Sequence, residues 1–149
     1  MTLSDVNRYA TRLNIPGWIG ARMKDQLPKN PNKLECGIIN LETSREIGSH
    51  WVGYAIKDGV RYYFDSYGEP PPSALEKYLK SRNEYQNQYA VIRSSAVTTQ
   101  KDGTTECGSL CLYVLHHLMR GISYDQILTK LKQRYKDTPS PSLIVSRLR

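Results

Sequence analysis

The sequence predicts an α+β protein: a central, mostly antiparallel sheet flanked by helices, with a cysteine at the N-terminus of one helix. Three observations lead there. Two β-rich runs, residues 50–57 and 60–65, flank Asp58-Gly59, a dipeptide suited to a two-residue hairpin turn. Helix-start patterns with a hydroxyl residue followed three positions later by an acid or amide recur at Thr2, Ser73 and Ser123. Cys107-Gly108 then opens a strongly apolar segment from Ser109 to Met119.

In chain order, Thr2 with Asp5 forms a capping box before Leu3, Val6, Ala10 and Leu13, an amphipathic helix ending near Asn14, Pro16 and Gly17. Residues Cys36 to Leu41 read as a buried strand. A polar loop from Glu42 to Ser49 leads into the hairpin. Pro70-Pro71-Pro72 breaks the chain, and Ser73 with Glu76 caps a short helix through Leu75, Tyr78 and Leu79. Tyr89 to Arg93 reads as another strand, followed by a loop from Ser94 to Glu106. Gly121 stops the Cys107 helix, and Ser123 with Gln126 caps a last one containing Ile127, Leu128, Leu131 and Tyr135. From Pro139 the tail is expected to be loose, with Leu143 to Val145 its apolar anchor. The chain carries no internal repeat, and one domain spanning residues 1–149 is expected.

Composition fits one compact core, with 149 residues, 39% of them hydrophobic, and 11 tyrosines. No stretch approaches the roughly 20 continuous apolar residues of a membrane span, and the N-terminus lacks the basic-then-apolar layout of a signal peptide. An intracellular location follows as an expectation. Three cysteines without framework spacing point to free thiols in a reducing compartment.

Cys107 is the candidate nucleophile. The reactive form of cysteine is the thiolate, which unpaired N–H groups and the positive end of a helix dipole stabilise. Gly108 lets backbone at that turn approach a substrate carbonyl closely. Gln100, seven positions before Cys107, offers a neutral amide donor for a developing oxyanion. A buried core cysteine is the ordinary alternative, so a base has to be found.

His50 is that base. With Asp58 and Gly59 as the turn, the register pairs Lys57 with Val60, Val52 with Asp65 and His50 with Tyr67. Asp65 thus becomes the diagonal neighbour of His50 on one sheet face. Diagonal separations of roughly 7 Å between Cβ atoms allow a carboxylate to reach an imidazole. Asp65 would fix the tautomer and favour the imidazolium, leaving the other ring nitrogen for the thiol.

These residues resemble the adenovirus maturation protease (adenain) family and, more distantly, the ubiquitin-like-modifier proteases of the same cysteine peptidase clan. The likeness covers most of the chain. It is closest at residues 33–40, at Gly48 to Ala55, at Tyr63 to Gly68 and at Gln100 to Cys111. It implies His50 as general base, Asp65 as its orienting acid, Gln100 as the oxyanion-hole side chain and Cys107 as nucleophile. The order His, acid, Gln, Cys also differs from papain-like enzymes, in which cysteine precedes histidine. The acid is Asp, as in the ubiquitin-like-modifier proteases, where adenain has Glu. The resemblance further implies small residues, typically glycine, beside the scissile bond, and stimulation by DNA or a short viral peptide without any cofactor needed for the chemistry. The region around Tyr89 has no cysteine for a disulfide-linked peptide, which argues against covalent capture.

Other constellations carry less. Cys36, in Glu35-Cys36-Gly37, enters a strand and gains no helix-terminal field, so it reads as a core thiol, as does Cys111. On a helix His116 and His117 project away from the Cys107 and Cys111 stripe, which argues against zinc. Trp51 reads equally as a wall of a substrate groove, beside Gly108, or as simple packing. The net charge of +7 and pI near 9.4 imply attraction to an acidic partner. Arg8 and Arg12, with Lys130, Lys132 and Arg134, are the candidate nucleic-acid contacts.

The expectation is therefore a monomeric cysteine endopeptidase acting on protein substrates, with viral precursors favoured and the host nucleus or virion as its place if viral. Removal of ubiquitin or a related modifier is one alternative. A basic DNA-binding module with a structural cysteine is the other.

Overall fold

A computed structural model describes residues 1–42, 50–81, 91–101 and 105–138. Helix α1 (Leu3–Leu13) opens with the expected reciprocal cap: the Thr2 hydroxyl accepts the Asp5 N–H at 3.1 Å, and Asp5 accepts the Thr2 N–H at 2.9 Å. Asn14 ends it in the left-handed conformation, φ 55°. Strand β1 (Trp18–Met23) and a 3-10 turn (Lys24–Gln26) follow, then β2 (Glu35–Asn40), β3 (Trp51–Lys57) and β4 (Val60–Phe64). Next come α2 (Ser73–Ser81), β5 (Ile92–Ser94), α3 (Cys107–Leu118) and α4 (Tyr124–Asp137).

The five strands lie in the order β1-β2-β3-β4-β5. The middle is antiparallel, β2 with β3 and β3 with β4, and each edge strand joins in parallel. Helices flank this sheet, as expected, and the two parallel edges are what the sequence did not indicate. Strand β1 went unread because Gly20 and Arg22 interrupt its apolar alternation and its partner β2 is non-local. At the hairpin, Lys57 pairs with Val60, Tyr54 with Tyr63 and Gly53 with Phe64. Asp58 (φ 52°) and Gly59 (φ 75°) both take the left-handed conformation that such a two-residue turn requires.

Alternation along the strands divides the core into two. Cys36, Ile38, Trp51, Ala55 and Phe64 pack against α1, α3 and α4. Ile39, Val52, Tyr54, Ile56 and Tyr63 pack against α2 through Leu75, Tyr78 and Leu79. Strands β2 and β3 are buried on both faces, apart from Lys57, which is why they read as nearly unbroken apolar runs. Helix α3, the most apolar, lies along β3, where the Gly53 backbone comes close to Cys111 and Leu115.

One local reading needs correction. Ser73 is the first helical residue rather than the cap, and Glu76 turns instead to Lys80, at 2.8 Å, one turn on. Gly121 does stop helix α3: its φ of 100° lets its own N–H return to the Leu118 carbonyl and the Ile122 N–H to the His117 carbonyl, each at 3.1 Å. The Ser123 cap on α4 forms, accepting from the Gln126 N–H at 3.2 Å. Residues 43–49, the start of the strand expected from Tyr89, residues 102–104 and the tail from 139 lie outside the described residues. Among the described residues no helix is long and apolar enough to cross a membrane.

Candidate active site

The site lies where β3 begins, β4 ends and α3 begins. His50 directly precedes β3, and Asp65 directly follows β4, so the hairpin register brings them to the same end of the sheet. His50 Nε2 and Asp65 Oδ1 are 2.9 Å apart. The same carboxylate oxygen accepts the Tyr67 N–H at 2.9 Å, and the Tyr67 ring lies 5.1 Å from the His50 ring, centroid to centroid. Asp65 is only 2% exposed, whereas the His50 side chain keeps 20% of its surface open. A buried carboxylate with two donors, facing a half-buried imidazole, favours the charged form of the imidazole.

Cys107 occupies the first turn of α3. No side chain caps that helix N-terminus and its first turn holds no acid, so no carboxylate within that turn competes with a thiolate for the positive end of the helix. The His50 ring also interacts with the Cys107 thiol, each shifting the titration of the other. With Nε2 engaged by Asp65, Nδ1 is the ring nitrogen left for the sulfur. The bond to Asp65, then the interaction with Cys107, raises the His50 pKa from 6.5 to about 9 against the opposing effect of burial. Burial pushes the Cys107 thiol up, but hydrogen bonds from His50 and the Trp51 and Gly108 backbone, together with the His50 charge, outweigh it. The thiol ends below its ordinary value.

Gln100 is buried in the loop between β5 and α3. Its Oε1 accepts the Ser66 hydroxyl at 2.5 Å, and its backbone N–H reaches the Ser66 carbonyl at 3.2 Å, beside the Thr99 N–H at 2.7 Å. The loop docks on the segment after β4 almost residue for residue. Ser95 hydrogen-bonds the Asp65 backbone, Thr98 Oγ1 reaches the Tyr67 carbonyl at 3.3 Å, and Val97 lies against Gly68. Gly68 has φ 76°, and a Cβ there would meet the Val97 backbone at 2.9 Å, so both the turn and the close approach require glycine. Ser66 and Ser95 are site residues that sequence reasoning missed. Their partners lie some thirty positions away, and a serine carries no periodic signal.

The remaining residues fall into place around these. Trp51 is buried, 5% exposed, with its Cδ1 3.4 Å from where a Gly108 Cβ would stand. Cys111, fully buried, donates to the Trp51 carbonyl at 3.5 Å, and burial raises its thiol pKa. Cys36 is also buried, near the Pro16 carbonyl, and is pushed up to about 12 by burial and then by Glu35. His116 lies 2.9 Å from Arg120, and His117 meets the Tyr113 ring edge-on. Among the described residues no group of His, Cys, Asp and Glu gathers to hold a metal ion. Arg8 and Arg12 are exposed on α1, and Lys130, Lys132 and Arg134 on α4. Arg8 pairs with Asp5, and Arg134 with Glu106, the residue before Cys107.

No protein-family model matches the chain, and no curated protein does. Among solved structures it is similar to the ASFV pS273R protease, with a TM-score of 0.60 and 16% sequence identity over 91% of this chain. A Se-Met form of that protease aligns over 72% of this chain and 43% of its own, at 19% identity and a TM-score of 0.46. The chain spans 64% of the length of the first. The likeness is one of fold: a five-stranded mixed sheet flanked by helices, shared with a structurally characterised protease.

Proposed function

We propose that the chain is a cysteine endopeptidase with His50, Asp65 and Cys107 as its triad and Gln100 as the side-chain donor of its oxyanion hole. The observation that carries this reading is the position of His50, 2.9 Å from buried Asp65, together with a thiol at a helix N-terminus whose titration the same imidazole lowers. A shared fold with a protease supports it. Asp65 orients the ring and stabilises the imidazolium. His50 takes the Cys107 proton through Nδ1, and the thiolate adds to a peptide carbonyl. The Gln100 amide and the Cys107 N–H hold the resulting oxyanion. The tetrahedral adduct collapses to a thioester as His50 gives its proton to the leaving amine. Water, deprotonated by His50, then hydrolyses the thioester and returns the hydrogen to sulfur.

Protein substrates follow from that chemistry. Viral precursors cut beside small residues, glycine among them, are the favoured class, with action in the host nucleus or virion. The exposed cations of α1 and α4 suit attraction to nucleic acid, which would guide the enzyme without taking part in the chemistry.

The test is labelling with a thiol-directed peptide electrophile in wild type, Cys107→Ala and Cys36→Ala, with and without DNA. Label lost only in Cys107→Ala supports the reading. Label that survives Cys107→Ala and disappears in Cys36→Ala rejects it. Cleavage of internal glycine-containing peptides, in preference to a Gly-Gly-ended modifier conjugate, supports the substrate class.

A further inference from the structure

Gln100 does not fix its own orientation. Its side-chain carbonyl oxygen is held by the hydroxyl of buried Ser66, and its main chain is held by the Ser66 carbonyl, which also receives the Thr99 N–H. An amide can be turned about its last bond to exchange oxygen for nitrogen at nearly the same volume. A donor at Oε1 selects one of those two states and sends the N–H end to the opposite side. Ser66 is also the residue directly after Asp65, and Tyr67, directly after that, presents its N–H to Asp65 and its ring to His50.

We propose that Ser66 is a positioning residue that sets the Gln100 amide for oxyanion binding, so that three consecutive residues index both the acid and the oxyanion donor. This rests on the protease reading above and assigns a role to a residue that contributes no group to the reacting atoms. Without the Ser66 hydroxyl the amide loses the donor that holds its oxygen, and part of the population turns oxygen towards the developing negative charge. That penalty falls on the acylation transition state. The thiolate–imidazolium pair does not pass through Gln100 and keeps its reactivity.

The experiment compares Ser66→Ala, Gln100→Ala and the double variant in peptide hydrolysis and in alkylation of Cys107 by iodoacetamide, a displacement that develops no oxyanion. Ser66→Ala is expected to lower kcat about tenfold, the scale of one buried hydrogen bond. KM and the alkylation rate should stay near wild type, and Ser66→Ala should add nothing in the Gln100→Ala background. Equal slowing of hydrolysis and alkylation, or a full further loss in the double variant, overturns the proposal. Because Ser66 is buried, Ser66→Cys, which keeps the volume and weakens the donor, is assayed alongside with alkylation mapped by peptide. It should lose kcat in the same selective way, and wild-type kcat in Ser66→Cys overturns the proposal too. Wild-type hydrolysis in the same assay checks the underlying reading separately. Its absence removes the enzyme and this proposal together, whereas an active wild type insensitive to Ser66 removes only the role of Ser66.

Discussion

Ser95 holds Asp65 by both of its backbone polar groups: Ser95 Oγ accepts the Asp65 N–H at 3.1 Å and donates to the Asp65 carbonyl at 3.0 Å. Both residues are buried. Ser95→Ala leaves an N–H and a carbonyl without this partner, at a cost on the order of 2 kcal/mol. Urea unfolding should show a lower midpoint with an unchanged slope. A midpoint equal to wild type would mean that the clamp contributes nothing.

The two shifted groups predict different pH limits for two reactions. Hydrolysis needs protonated His50 for the leaving amine, so it should fall as pH rises through about 9. Alkylation needs only the thiolate and should hold there, while its acid limb lies below the ordinary thiol value of 9.0. The His50 shift also feeds stability. Since the folded-state pKa exceeds the ordinary 6.5, the contribution is complete below about pH 6.5 and is lost as pH rises through about 9. Parallel decline of both reactions at alkaline pH would contradict the pairing.

Asp65→Asn replaces the carboxylate with a neutral amide at nearly constant volume. The His50 pKa should drop towards 6.5, and the Cys107 thiol should rise, because the partner that favours the imidazolium is gone. We expect kcat to fall roughly 10²- to 10⁴-fold. Titration of His50 by NMR checks the cause. An unchanged imidazole pKa would show that the carboxylate does not control it.

On the other face of the sheet, Glu35 is buried and accepts the hydroxyls of Tyr54 at 2.6 Å and Tyr78 at 2.5 Å on one oxygen, with the Asn32 N–H at 2.9 Å on the other. Tyr54→Phe should destabilise by about 2 kcal/mol, the scale of a hydrogen bond to a charged group, and leave Cys107 alkylation unchanged. Guanidinium unfolding beside an alkylation assay separates the two. A slowed alkylation would tie this cluster to the site.

Gly68→Ala should be worse than its size suggests, because the new Cβ has no room beside Val97 and the residue must keep φ 76°. A loss of stability on the order of 1–3 kcal/mol is expected from the strained backbone, together with a loss of hydrolysis larger than that of alkylation. Thermal unfolding and the two rate assays check it. A wild-type melting temperature would show that the loop adapts.

The hairpin was legible because Asp58-Gly59 dictates one turn and the turn dictates every facing pair up to Gly53 and Phe64. The proximity of His50 to Asp65 follows from that local rule. Cys107 was legible as a break between polar loop and apolar helix. What stayed hidden depends on distant partners: β1 pairs with β2 only after an intervening turn and loop, and β5, though legible as a strand, joins β4 in parallel beyond α2. Ser66 and Ser95 act across more than thirty and thirty positions respectively, and their side chains are small, polar and without pattern. Trp51, left between two roles by the sequence, is nearly enclosed against Gly108.

The three sulfurs differ enough in surroundings to sort themselves chemically. Cys36 is held up at about 12 and Cys111 is raised by full enclosure, so near neutrality both stay protonated, while the third is drawn the other way. A weakly reactive thiol-directed warhead therefore meets one addressable sulfhydryl among the three, and a covalent ligand could gain selectivity from low intrinsic reactivity.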